Sequence, residues 1–172
     1  QEIAHELGLD FFSSPFDASA VEFLEDLDVP VYKIASFENV DLPLIRRIAE
    51  TGKPTIISTG MATLGEIDEA VRAFRDTGGT ELALLACTSS YPAPPEEMHL
   101  RRIPHLAETF DVVPGLSDHT LGKEVPVAGV SLGARIIEKH LTLSREEEGP
   151  DSDFSLAPDE LAEMVQGVRK TE

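Results

Sequence analysis

Short apolar runs alternate with amphipathic segments along the whole chain, and this alternation limits the folds that the chain can adopt. The intervening segments have apolar residues at helical spacing, as at Ile67, Ala70, Val71 and Phe74. Because the apolar runs contain few polar residues, they are typical of a parallel sheet that is buried on both faces. They predict strands at 9–14, 31–36, 54–59, 82–86, 112–113 and 135–137.

Capping residues and glycines mark the ends of the predicted helices. Asp17 has the side chain of an N-cap for a helix over 18–27. Thr63 begins another helix, in which Glu66 completes a capping box and Gly78 follows the last turn. Helical spacing also predicts helices at 1–7, 42–51, 100–110, 125–134 and 158–169.

The repetition of one strand and one helix favours a barrel over an open sheet. A complete TIM barrel has eight strands and about 250 residues, whereas this chain has 172 residues. The chain is therefore short by about two strand–helix units. We predict an α/β fold, a partial TIM (β/α)8 barrel that forms one domain over 1–172, with a smaller doubly wound domain as the alternative.

The charge balance excludes some partners. With 14 Lys and Arg against 32 Asp and Glu, the net charge is -18. Binding of nucleic acid or of anionic membranes through bulk electrostatics is therefore not expected.

The single cysteine, Cys87, is expected to pack as a small apolar residue. With no run long enough for a membrane span and no signal peptide, the sequence predicts a cytoplasmic protein.

Each predicted strand ends in small or ionisable polar residues. The carboxyl ends of parallel strands meet at one edge, where α/β barrels bind ligands. Hydroxyl groups, backbone amides and a lysine are suited to a ligand that carries phosphate. Any single serine could instead cap a helix. The residues are Ser13, Ser14, Lys33, Ser36, Glu38, Ser58, Thr59, Gly60, Thr88, Ser89, Ser90, Tyr91, Ser117, Asp118, His119, Lys139 and His140.

Two histidines, His119 and His140, follow the last two predicted strands, beside Asp118 and Glu138. Imidazole with oxygen ligands suits manganese, zinc or iron. Each histidine alone could be a core residue, but their matching positions favour a metal or catalytic role. A divalent ion there would act as a Lewis acid on a carbonyl oxygen. These residues therefore predict a metal-assisted reaction between a phosphorylated small molecule and a carbonyl compound.

Six motifs occupy 12–17, 32–38, 57–61, 87–92, 115–120 and 138–142. In their order and spacing they resemble the sialic acid synthase family. The resemblance covers nearly the whole chain and implies strands three to eight of a TIM barrel. It also implies an enzyme that condenses phosphoenolpyruvate with an N-acylated hexose in open-chain form. The implied products are a nine-carbon 2-keto acid and phosphate, and the implied cofactor is a divalent metal, Mn²⁺ with Mg²⁺ or Co²⁺ as alternatives.

The resemblance also assigns roles to individual residues. His119 and His140 match the metal ligands, and Glu38 and Lys33 match the residues expected at the reacting centre. Tyr91 and Asp151 match positions that touch the sugar. Glu38 is our hypothesis for the base that activates water. The positions around phosphoenolpyruvate correspond to Ser14, Lys33, Ser36, Ser58, Ser89 and Ser117.

Three details resemble the pseudaminic acid synthase branch of this family: Phe37 between Ser36 and Glu38, the motif at 87–94 and the motif at 149–156. The acceptor would then be a 2,4-diacetamido-2,4,6-trideoxy-hexose, with legionaminate or N-acetylneuraminate synthase as alternatives. A different metal-dependent aldolase or hydrolase, or a non-catalytic remnant, also stays open.

The resemblance implies that two parts of the complete enzyme are absent from this chain. These are the first two β/α units and a small C-terminal antifreeze-like domain. We expect the 172-residue segment alone to be inactive, and the full-length parent to be a homodimer.

Overall fold

The computed structural model describes residues 1–146 and 149–172, in which helices and strands alternate. The chain divides into two compact units, unit 1 (1–83) and unit 2 (84–172). No helix in these described ranges combines the length and the apolar character needed to cross a lipid bilayer.

The strands are β1 (Tyr32–Ile34), β2 (Thr55–Ser58), β3 (Leu82–Cys87), β4 (Val113–Asp118) and β5 (Ile136–Lys139). The helices are α1 (Glu2–Glu6), α2 (Ala18–Asp26), α3 (Leu42–Ala49), α4 (Leu64–Asp76), α5 (Arg102–Phe110), α6 (Glu124–Ser131) and α7 (Pro158–Thr171), and three short 3-10 helices cover Ser36–Val40, Pro95–Glu97 and Ser152–Phe154.

Unit 1 contains β1, β2 and the first residues of β3, in that sheet order. β1 and β2 are parallel, with Tyr32 opposite Thr55 and Ile34 opposite Ile57. Ile34 and Ile57 are fully buried, as is Phe74 of α4. The strand ladder of unit 1 therefore has buried β-branched side chains, and α4 has a buried apolar face, as the sequence pattern predicts.

The helix starts in unit 1 confirm the predicted capping residues. The side chain of Asp17 accepts a hydrogen bond from the backbone N–H of Ala20 at the start of α2. Thr63 and Glu66 form the predicted capping box at the start of α4. Because such caps satisfy N–H groups that lack helical partners, they fix where the loop after β2 turns into α4.

Unit 2 contains the rest of β3 followed in the sheet by β4 and β5. β4 and β5 are parallel, and their register pairs Gly115 with Ile136 and Asp118 with Lys139. Glycine is needed at 115 because a Cβ there would lie 2.7 Å from the carbonyl oxygen of Ile136 and would also collide with Leu85. This close approach lets β4 pass between its neighbours with its last residues in register with β5.

The strand predicted at 9–14 is wrong. The structure assigns no strand to this segment, and Leu9 and Phe12 are 59% and 38% exposed. The backbone N–H of Leu9 instead donates to the carbonyl of Ala4, at the end of α1. An apolar run becomes a strand only where a neighbouring strand completes its hydrogen bonds, and composition does not report that neighbour.

The boundaries of two other elements also differ from the prediction. The strand predicted at 112–113 extends through Ser117 and Asp118, because both polar side chains are buried and have partners on β5. The helix predicted at 125–134 is α6, which ends at Ser131 before Gly133 adopts a positive φ. In both cases local composition indicated the element but not its end.

Candidate functional site

Lys33 is the centre of a polar cluster at the strand ends of unit 1. This residue is only 7% exposed. The Lys33 ammonium donates to the hydroxyl of Ser58 at 2.8 Å and to the carbonyl of Ile34 at 2.9 Å. Because β1 and β2 are parallel neighbours, the last residue of β2 reaches the lysine of β1. Hydrogen bonds of this kind offset the cost of burying the ammonium group.

Ser36 and Glu38 extend this cluster through the 3-10 helix that follows β1. The Ser36 hydroxyl accepts a hydrogen bond from the backbone N–H of Gly60 at 3.1 Å, which ties this helix to the loop after β2. Glu38 is half-buried. Its Oε2 atom is buried and has no hydrogen-bond partner in the part of the chain that the structure describes. We call Lys33, Ser36 and Ser58 the Lys33 cluster, and Glu38 follows Ser36 by two residues.

Ser14 is placed differently from the other predicted residues of unit 1. It lies in the irregular segment before α2 and not at the end of a strand. The structure therefore supports the joint placement of Lys33, Ser36 and Ser58, whereas the role of Ser14 stays a prediction that rests on resemblance.

The two predicted metal ligands lie together in unit 2. The ring centroids of His119 and His140 are 5.3 Å apart. Tyr91 packs on His119 at 4.2 Å, and Phe154 packs on His140 at 4.9 Å. We call these four residues the histidine cluster. Phe154 was not among the predicted site residues, because its contact with His140 depends on how the chain returns after β5.

The segment after β5 folds back to the carboxyl end of this strand, where backbone hydrogen bonds hold it. The N–H of Leu156 donates to the carbonyl of His140, and the N–H of Thr142 donates to the carbonyl of Leu156, both at 3.0 Å. This pairing brings Phe154 and Asp151 to the imidazole of His140. The Asp151 carboxylate lies 3.6 Å from Nδ1 of His140.

An oxygen atom lies near Nδ1 of each imidazole. Nδ1 of His119 is 3.0 Å from the carbonyl of Thr88. Since a carbonyl only accepts, Nδ1 carries the proton, and in the neutral ring Nε2 holds the lone pair. The Asp151 carboxylate occupies the corresponding place beside His140. In a histidine that binds a metal, the ring nitrogen that does not contact the metal usually donates a hydrogen bond to an oxygen atom.

The two histidines differ in their affinity for protons. Burial opposes the charged form of His119, but hydrogen bonds with the Cys87 side chain and the Thr88 carbonyl outweigh burial and raise its pKa. Burial lowers the pKa of His140, and the nearby His119 lowers it further. Cys87 is buried as predicted, but its hydrogen bond with His119 was not anticipated.

The two imidazoles of this cluster are donors that suit a divalent ion. Within 1–146 and 149–172, no group of three or more His, Cys, Asp and Glu side chains is arranged to hold a metal. An ion on His119 and His140 would need oxygen atoms of water or substrate at its other positions. A site with open positions is what Lewis-acid chemistry requires.

Asp118 and Glu138, which the sequence placed beside the histidines, have partners in unit 2. Glu138 accepts a hydrogen bond from the hydroxyl of Ser117 at 2.7 Å. Asp118 forms a buried ion pair with Lys139 at 2.6 Å. The sequence did not reveal this ion pair, although the register of two parallel strands that end in Asp-His and Lys-His could have indicated it.

The loop after β3 carries Ser89 and Tyr91 and is anchored by a helix side chain. The guanidinium of Arg102, the first residue of α5, donates to the carbonyl of Cys87 at 2.6 Å and to the hydroxyl of Thr88 at 3.3 Å. Tyr91 is 45% exposed, and its hydroxyl pKa is raised by burial and by nearby acidic groups. The start of this loop is thereby held where Thr88 can accept from His119.

Comparison with known proteins identifies a family for the whole chain. The sequence profile of the NeuB family matches residues 1–172. The chain is 47% identical over 171 residues to the pseudaminic acid synthase of Campylobacter jejuni subsp. jejuni serotype O:2, covering 99% of this chain and 50% of that protein. It is 41% identical over 169 residues to the N,N'-diacetyllegionaminic acid synthase of the same organism, covering 97% of this chain and 51% of that protein.

A solved structure confirms the predicted fold class. The spore coat polysaccharide biosynthesis protein SpsE of Bacillus subtilis superposes with a TM-score of 0.96 at 41% identity, over 99% of this chain and 48% of that one. The partial TIM-barrel fold is therefore confirmed. The chain spans about half the length of the curated relatives that it matches.

Proposed function

The chain belongs to the NeuB family, and from this premise we propose that it contributes to a synthase of nonulosonic acids of the pseudaminic type. In the proposed reaction, C3 of phosphoenolpyruvate forms a bond with the aldehyde carbon of an open-chain N-acylated amino-hexose. Water adds at C2, the bond between C2 and the phosphate oxygen breaks, and inorganic phosphate leaves. The similarity to relatives that are named synthases of such acids, over the whole of this chain, carries the proposal.

The Lys33 cluster would bind the anionic groups of phosphoenolpyruvate. The ammonium of Lys33 and the hydroxyls of Ser36 and Ser58 supply hydrogen-bond donors from a buried and therefore weakly screened position. Glu38 would take a proton from the attacking water. Its buried Oε2 atom, which lacks a hydrogen-bond partner among the described residues, is suited to accept that proton.

The histidine cluster would hold the metal and contact the sugar. His119 and His140 would bind Mn²⁺, with Mg²⁺ or Co²⁺ as alternatives. When bound, the ion supplies Lewis-acid polarisation of a carbonyl oxygen. Tyr91 would pack on the sugar, and the Asp151 carboxylate would accept from its polar groups. By resemblance, Ser89 and Ser117 would also contact phosphoenolpyruvate.

The proposed acceptor sugar is 2,4-diacetamido-2,4,6-trideoxy-hexose. Phe37, next to Glu38 in the 3-10 helix after β1, is 58% exposed and presents an apolar surface. A sugar that lacks hydroxyl groups leaves fewer unpaired polar atoms against such a surface than N-acetylmannosamine does. The higher identity to the pseudaminic than to the legionaminic acid synthase supports the same choice.

Phosphate release from phosphoenolpyruvate tests the proposal. The assay uses the protein that carries this chain and offers each candidate hexose with Mn²⁺ or with a chelator. Release that requires the diacetamido-trideoxy sugar and Mn²⁺ would support the proposal in full. Release with N-acetylmannosamine would retain the synthase and reject the pseudaminic branch, and no release with any sugar would reject the synthase.

Substitution of Glu38 tests the base. Glu38→Gln should lower kcat by at least about 100-fold with little change in KM, since a positioned general base contributes about 100-fold to 10,000-fold. Glu22→Gln, at an exposed position of α2, is the matched control. Unchanged kcat in Glu38→Gln would exclude the assigned role.

A further inference from the structure

We infer that the buried ion pair between Asp118 and Lys139 positions His119 and His140 for metal binding. The inference rests on the proposed metal site and gives a positioning role to two residues to which the proposed function assigns none. The ammonium of Lys139 lies 2.6 Å from the carboxylate of Asp118, and the two side chains are 3% and 0% exposed. Each residue directly precedes one of the two histidines in sequence.

The register of the sheet accounts for this placement. In the parallel ladder of β4 and β5, Ser117 is opposite Glu138 and Asp118 is opposite Lys139. Side chains of successive residues in a strand point to opposite faces. The hydrogen bond from Ser117 to Glu138 and the ion pair from Asp118 to Lys139 therefore lie on opposite faces of the ladder. Together they cross-link both faces at the point where the two strands end.

The ion pair also holds the backbone on both sides of His119. One oxygen of Asp118 accepts from the N–H of Thr120 at 2.9 Å, and the other accepts from Lys139. The ammonium of Lys139 also donates to the carbonyl of Thr120. His119 thus lies between two residues that are both bound to the neighbour of His140. The positions of the two imidazoles are coupled by this arrangement, and their 5.3 Å separation depends on it.

A purely structural ion pair would affect stability alone, whereas a positioning pair would also affect the imidazoles of the folded protein. Lys139→Met leaves the Asp118 carboxylate buried without its partner, which a fold tolerates poorly. The double variant Asp118→Leu with Lys139→Met removes the pair without leaving a buried charge, and such replacements often preserve stability. It keeps the test valid if the single variant does not fold.

The experiment compares the wild-type chain with both variants and with Lys123→Met as control. Lys123, the residue before α6, forms an exposed ion pair with Glu163 of α7. Imidazole ¹H–¹⁵N spectra of the metal-free proteins report the environments of His119 and His140, and titration with Mn²⁺ gives the dissociation constant. Circular dichroism verifies that each protein is folded. We expect altered imidazole resonances and Mn²⁺ binding weakened about 10-fold to 100-fold in the folded pair variants, and wild-type behaviour in Lys123→Met.

Imidazole spectra that match wild type in a folded pair variant would overturn the positioning role, as would an unchanged Mn²⁺ dissociation constant. If the imidazole resonances shift but the wild-type chain binds no Mn²⁺, the positioning role is retained and the metal site of the proposed function is rejected. The two failures are therefore distinguishable.

Discussion

The strand ends of the two units carry opposite chemistry. In unit 1 the Lys33 cluster supplies mainly hydrogen-bond donors, namely an ammonium group and two hydroxyls. In unit 2 the histidine cluster and the adjacent Asp151 supply lone pairs and a carboxylate. Donors of this kind favour an anion, whereas imidazole nitrogens with nearby carboxylates favour a cation.

This difference suggests that one fold provides two separable binding functions. Each cluster is built inside its own compact unit, from neighbouring parallel strands and the loops that follow them. Residues that share no partner contribute independently to binding and stability. We therefore expect a substitution in one cluster to weaken the ligand of that cluster and to leave the other ligand bound.

Removal of both histidines should have the largest effect. In the variant His119→Ala with His140→Ala, we expect Mn²⁺ affinity to fall by more than about 100-fold, because even a group that only orients a metal ligand is worth about 10-fold to 100-fold. Calorimetric titration measures this loss, and the same titration with phosphoenolpyruvate should give a wild-type dissociation constant. His105→Ala removes an exposed histidine of α5 and serves as control. Retained Mn²⁺ affinity in the double variant would show that the ion binds elsewhere.

Replacement of Lys33 should produce the converse result. Lys33→Met retains the length and apolar stem of the side chain but removes a charged donor, which is worth about 1.5 to 3 kcal/mol. Phosphoenolpyruvate should therefore bind about 10-fold to 100-fold more weakly, and Mn²⁺ should bind as before. Lys53→Met is the control, since Lys53 pairs with Glu25 and Asp28 in the same unit. Equal loss of both ligands in Lys33→Met would disprove the separation.

Sequence patterns were sufficient for the features that depend on local spacing. The capping box of Thr63 and Glu66 follows from four consecutive residues, and the proximity of His119 and His140 follows from the rule that parallel strands end at one edge. The segment 9–14 could not be assigned correctly, because a strand depends on a neighbour and not on its own composition.

Long-range partners explain the rest of the difference between sequence and structure. Asp118 was grouped with the histidines, but its carboxylate binds Lys139, which is 21 positions later in the chain. Phe154 reaches His140 only because Leu156 pairs with the backbone after β5. The first contact depends on the register of β4 and β5, and the second depends on the backbone pairing of the segment after β5.

Substitution of Ser58 is expected to lower phosphoenolpyruvate affinity less than substitution of Lys33, and it compares two members of the Lys33 cluster. Ser58→Ala removes the hydroxyl that accepts from Lys33, and a neutral hydrogen-bond partner contributes about 1 kcal/mol. We therefore expect phosphoenolpyruvate affinity to fall about fivefold, less than in Lys33→Met. Ser19→Ala is the control, because the Ser19 hydroxyl donates to the Asp17 carboxylate at the exposed start of α2. An effect in Ser58→Ala as large as that of Lys33→Met would indicate that the hydroxyl, and not the ammonium, dominates binding.

The smallest expected effect concerns the protonation of the two histidines in the metal-free protein. His119 should titrate above the ordinary value of 6.5 and His140 below it, because hydrogen bonds favour charged His119 whereas burial and the neighbouring imidazole oppose charged His140. His119 therefore contributes its full stabilisation below pH 6.5, and this stabilisation is lost as pH rises through the folded pKa of His119. The effect of His140 on stability has the opposite sign, because the fold is destabilised as pH falls from 6.5 towards the lower folded pKa of His140.

Imidazole NMR titration measures both values, and His119→Gln separates their causes. Without the charge of His119, the pKa of His140 should rise towards 6.5 but stay below it, since burial is the larger cause of its shift. His105→Gln should leave both values unchanged. A pKa of His140 that does not move in His119→Gln would show that the two imidazoles act independently, and the histidine cluster would then lack the coupling that its 5.3 Å separation implies.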